Sequence, residues 1–192
     1  MSLPRSCLLV LAGAVLLTSA VSAQPGVLST VTTLPAAAEA ASSISIAVNA
    51  GAIQSLGNVT DNVAHNFPSP VTITLTWDLH PSTGQVQVIG YFATPAAAMS
   101  SGPVGIPSSW IKGRVLTTGI TGAPATFSPF TQGTVGGVGT AGGSLTLMSV
   151  PVLGYSKTGT KTIDLELQLD LVGRVLPPGN YTGTLNIRAV TQ

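Results

Sequence analysis

This sequence has little charge. Only 7% of its 192 residues are charged, seven bases against six acids, for a formal net charge of +1. A chain so nearly neutral has no field with which to draw in nucleic acid or an anionic membrane surface. Aromatics make up 5%, histidines number two and cysteine one. A single thiol cannot close an intrachain disulfide, and two histidines with no thiol pair are a thin basis for a zinc site. Disorder along the whole chain is excluded by the opposite imbalance, 44% hydrophobic residues against so few charges. The length suits one domain with a core of its own.

The scarce residues are unevenly placed. Arg5 precedes an uncharged apolar run at 7–17, and small residues follow up to Ala23, with Val21 and Ala23 at the −3 and −1 positions of a cleavage site. That is the layout of a secretory signal peptide, and its run falls short of the roughly 20 residues a membrane helix needs. Cys7 opens the apolar run, where a lipoprotein signal would place its cysteine after one. Removal of residues 1–23 takes away Arg5 and Cys7. It leaves Lys112, Arg114, Lys157, Lys161, Arg174 and Arg188 to balance six acids, with zero formal charge and no thiol. Secreted domains often staple thin cores with disulfides; this one must rely on β-pairing and burial. The expected location is secreted, on the cell surface or in the periplasm.

What is abundant is alternation broken by Gly, Pro and Ser. In Val71-Thr72-Ile73-Thr74-Leu75-Thr76-Trp77-Asp78-Leu79 every odd residue is apolar and every even one polar, the period of a half-buried strand. The same pattern runs through 162–171 and through 181–189. Less regular strands are expected at 43–48, 85–93, 110–117, 125–131 and 144–150. The turn Pro81-Ser82-Thr83-Gly84 predicts a hairpin between 71–79 and 85–93. Seven to nine strands with few helical signals, the one helical candidate being 35–41, predict an all-β, antiparallel, immunoglobulin-like sandwich. The division expected is a signal peptide at 1–23, an arm or linker at 24–42 and one sandwich domain at 43–192. Within that domain the glycine-rich, uncharged stretch 119–143 reads as flexible.

Motifs for chemistry are sparse. Gly137-Val138-Gly139-Thr140-Ala141-Gly142 has the glycine spacing of a dinucleotide-binding turn, but a strand follows it where that chemistry needs a helix. Asp164, Glu166 and Asp170 share a strand face, which reads as a solvated face with Lys161 nearby, since a straight strand cannot wrap oxygens around a cation. His65 and His80 stand in no metal-ligand spacing, and no G-x-S-x-G elbow offers a nucleophilic serine. No catalytic residue, cofactor or metal is therefore assigned. Trp77 falls on a core face. Trp110, Lys112 and Arg114 share the face opposite Ile111 and Val115, making them the candidate surface-contact residues. Asn58 and Asn180 begin N-glycosylation sequons.

The run Leu176-Pro177-Pro178-Gly179-Asn180-Tyr181-Thr182-Gly183-Thr184-Leu185-Asn186-Ile187 resembles the closing segment of bacterial pilin-like and spore-coat-U-like secreted subunits. Leu56-Gly57-Asn58-Val59 is similar to a short segment found early in such domains. Those families usually carry a cysteine pair, which this chain lacks beyond residue 23. The resemblance implies an immunoglobulin-type sandwich assembled with copies of itself or related subunits by strand exchange, with residues 24–33 as candidate donor. The leading expectation is a secreted, non-enzymatic structural or coat-like protein. A carbohydrate-binding or adhesive module using Trp110 and 119–143, and an exported hydrolase with a dispersed triad, are the alternative classes.

Overall fold

The computed structural model describes residues 6–12, 42–79, 84–152 and 157–192. In chain order its strands are β1 (Ser6–Ala12), β2 (Ser43–Ala50), β3 (Ile53–Asn58), β4 (Ala64–Asn66), β5 (Val71–Asp78), β6 (Gln85–Tyr91), β7 (Met99–Ser101), β8 (Val104–Ile106), β9 (Ile111–Val115), β10 (Ser128–Pro129), β11 (Ser144–Pro151), β12 (Thr158–Asp170) and β13 (Asn180–Thr191). They form two sheets packed face to face, a β-sandwich, with more strands than the seven to nine expected. One sheet runs β10-β9-β12-β5-β2, with β4 beside β12. The other runs β11-β6-β13-β1-β3, with β7 on β13 and β8 on β7. Pairing is antiparallel throughout the described residues except between β1 and β13, which are parallel.

The alternating segments fold as their period requires. Val71, Ile73, Leu75 and Trp77 of β5 are buried; Ile163 and Leu165 of β12 stand opposite Ile73 and Val71, and Leu167 and Leu169 continue the buried row beside β9. Tyr181, Leu185 and Ile187 supply the facing layer from β13. Where alternation fails in β11, an irregularity explains it. The register of β11 against β6 shifts between Thr146 and Met148, so Leu147 and Met148 are both buried despite being adjacent. Phe92 and Phe130 close the core edge to face, their ring centroids 5.2 Å apart.

The expected hairpin between β5 and β6 is not formed. β5 is paired on both edges, by β12 and β2, and β6 on both edges by β11 and β13. Consecutive strands therefore lie in opposite sheets. Both bury one apolar face, and facing each other across the core lets each use it. The turn residues 80–83, the arm 24–41 and the helical candidate 35–41 lie outside the described residues.

The segment 119–143, read as flexible from its glycines, is tied down along its length. Val115 N–H donates to Pro124 O, Ser149 N–H to Thr121 O and Gln132 N–H to Ser144 O, while Phe130 is wholly buried. A second feature bears on the site below. β2 belongs to one sheet and β3 to the other, and the chain crosses between them at Gly51 (φ 71°). A Cβ there would stand 2.3 Å from Pro70 O, so only glycine makes the crossing.

Candidate functional site

Of the three surface-contact candidates, Lys112 and Arg114 alternate with buried Ile111, Gly113 and Val115 and point outward from β9, as expected. Both are already engaged. Arg114 Nε lies 2.6 Å from Glu166 Oε2 and its guanidinium stacks 4.5 Å from the Phe127 ring centroid; Lys112 Nζ lies 2.7 Å from Asp170 Oδ2. Trp110 sits in a 3-10 turn, Ser108–Trp110, just before β9. Its ring is half-buried and capped by the Arg174 guanidinium at 4.8 Å.

The carboxylates of β12 are the partners of these cations, which corrects the expectation that Lys161 balances them. Lys161 stands opposite Leu75, in the register of the core-facing row, whereas Glu166 stands opposite Arg114. Asp164 instead accepts a hydrogen bond from Thr72 Oγ1 at 2.7 Å. Asp170 also has Arg174 Nη1 3.6 Å from Oδ2. The hydrogen bond from Lys112 is the chief cause holding the Asp170 carboxyl below the usual carboxylate range, against the opposing effect of burial. With each acid paired to a cation or a hydroxyl, the row has the chemistry of a structural face. No group of three metal-ligating side chains occurs among the described residues.

Further along the same face the residues become uncharged. Thr74 pairs with Thr162 at 2.9 Å and Thr76 with Thr160 at 3.3 Å, hydroxyl to hydroxyl, and Asn49 Nδ2–H donates to Thr74 at 2.6 Å. These cross-strand rows satisfy one another without ions.

The remaining motifs resolve locally. His65, in β4, has its Nε2 2.8 Å from Thr60 O in the preceding loop; His80 lies outside the described residues. The glycine motif at 137–142 leads into β11, and its backbone serves the fold: Gly142 N–H donates to Gln132 O and Thr140 N–H to Ser144 Oγ. A shallow pocket of about 210 Å³ lies where Phe92, Thr94 and Ala97 meet Thr182, Gly183 and Asn186, and no titratable side chain lines it.

The most unusual geometry lies beside that pocket. One edge of β13 is taken by β7 at Thr182 and Gly183 and by β6 from Asn186 onward. The opposite edge, from Asn180 to Asn186, is taken by β1 in seven consecutive parallel pairs. β1 in turn pairs antiparallel with β3, and β3 has no other strand partner among the described residues. The strand filling this slot is thus part of the apolar run of the expected signal peptide. Among the core-facing positions of β13 is Gly183, where a Cβ would stand 2.2 Å from Ala98 O. Across the slot, in the row of Gly183 and Leu9, stands Gln54. It is 1% exposed, its Nε2–H donates to Gly51 O at 2.9 Å, and its Oε1 has no hydrogen-bond partner. Tyr181 anchors the entry to β13 by donating from its hydroxyl to Pro177 O at 2.9 Å.

Nothing in the sequence singled out β3 or Gln54. The segment Ile53-Gln54-Ser55-Leu56 has no sustained alternation, and the only pointer was the similarity of Leu56-Gly57-Asn58-Val59 to an early segment of sandwich subunits. No family model matches the chain, and no curated protein matches it.

Proposed function

We propose that the protein is a secreted or cell-surface structural subunit, pilin-like or coat-like and without enzymatic chemistry, that joins copies of itself or related subunits by strand addition. One observation carries this reading. The sheet between β13 and β3 is continuous only through Ser6–Ala12, residues that the sequence marks for removal. Once they are gone, β13 from Asn180 to Asn186 and the whole of β3 present unpaired backbone groups. Such edges take up an extended segment from another chain, with backbone bonds giving affinity and alternate side chains giving register. The arm 24–33 is the segment proposed to supply it. The paired charges of the outer face and the absence of a catalytic constellation among the described residues support a scaffold over a hydrolase. The Arg174 guanidinium over Trp110 covers the aromatic face that a sugar would need, which weighs against the adhesive alternative.

Analytical ultracentrifugation of residues 24–192 and 34–192 tests the proposal. The longer form should build multimers that grow with concentration, and loss of the arm should leave monomers of lower stability. A stable monomer unchanged by removal of 24–33 would overturn it.

A further inference from the structure

We propose that Gln54 selects which strand the slot accepts, by demanding a hydroxyl at the occupant's central core-facing position, and that Ser29 of a second copy is the residue it selects. This rests on strand addition as proposed above. The register defines three occupant positions in line with the core-facing positions of β13: those opposite Tyr181, Gly183 and Leu185, which in β1 are the backbone positions 7, 9 and 11. The central position also stands opposite Gln54. Two rows are apolar, and the third contains a buried amide oxygen with no hydrogen-bond partner. An apolar side chain offers no donor, so an occupant with one in that row would leave the oxygen unsatisfied and be disfavoured.

The arm carries the complementary pattern. Val27, Ser29 and Val31 fall on one side of an extended strand. With the valines in the outer rows, Ser29 falls in the Gln54 row, and because the triplet is symmetric about Ser29 this holds for either strand direction. Its hydroxyl supplies the donor that Oε1 lacks. The other side of the arm, Leu28, Thr30 and Thr32, would place a threonine in an apolar row.

A double-mutant cycle on the self-association of residues 24–192 tests this, read by sedimentation. Ser29→Ala should weaken association about tenfold, the range of one hydrogen bond to a buried group, and Thr30→Ala less than twofold. In a Gln54→Leu background Ser29→Ala should have no effect, and Ser29→Leu should associate more tightly than the unchanged arm. Equal effects of Ser29→Ala with Gln54 and with Leu at that position would overturn the inference while leaving strand addition standing. Should Gln54→Leu fail to fold, the unaltered 24–192 chain answers through capping by synthetic peptides of residues 24–33. The natural peptide should block assembly at about one-tenth the concentration needed for its Ser29→Ala form, and equal potency would overturn the inference. A chain that neither associates nor binds either peptide would remove strand addition and this selectivity together.

Discussion

The two sheets are built from similar residues, yet one is self-sufficient and the other is not. The β10-β9-β12-β5-β2 sheet draws every strand from residues 43–170 and ties its outer face with Arg114–Glu166, Lys112–Asp170 and the threonine rows. The β11-β6-β13-β1-β3 sheet depends on Ser6–Ala12 to reach β3. The lesson is that burial alone does not complete a sheet. Leu56 of β3 packs against the core, but its backbone has a place in the sheet only while something fills the slot.

Five substitutions would break or sharpen that contrast. Leu165→Ala, at the centre of the self-sufficient sheet and wholly buried, should cost about 2–5 kcal/mol in urea unfolding, whereas Leu56→Ala in half-buried β3 should cost less than half as much. Equal losses would mean that β3 is as integral as β12. Next in size, Tyr181→Phe deletes the hydroxyl bond to Pro177 and should cost about 0.5–1.5 kcal/mol, measured the same way. Its effect belongs to the slot's wall, so removing residues 1–23 should enlarge it.

Asp170→Asn, on the self-sufficient sheet, should cost at most about 1 kcal/mol because its partners are partly solvated. The sign with pH follows from the lowered carboxyl. The stabilisation is complete above the ordinary carboxylate range and is lost as pH falls through the depressed folded value. The gap between Asp170→Asn and the unchanged chain should therefore be constant from about pH 5 upward and close in strong acid. The smallest effect is expected of Thr162→Val, within about 0.5 kcal/mol, because its hydroxyl partner is exposed and water can replace it. A larger loss there would show that the rows stiffen the sheet as well as solvate it.

Strands and their buried faces were legible wherever one segment carried its own period. β5, β12 and the C-terminal strand declare their buried faces by alternation, and Trp77 and the outward Lys112 and Arg114 follow from the same count. Pairing was less legible, because period two says which side is buried and not which neighbour is met; the mistaken β5–β6 hairpin came from reading a turn as a statement about partners. The short strands β4, β7 and β8 offer three residues each, too few to show a period. The slot was the least visible feature. Its walls lie more than 100 residues apart, at β3 and β13, and what marks it is an occupant whose own sequence announces a different role. Gln54 gains meaning only once the register sets it beside that occupant.

The threonine rows have a practical consequence. Ion pairs weaken as salt rises and fail as carboxylates take up protons, whereas hydroxyls bonded to hydroxyls respond to neither. Along Thr74–Thr162 and Thr76–Thr160 the exterior is therefore indifferent to brine, fresh water or mild acid.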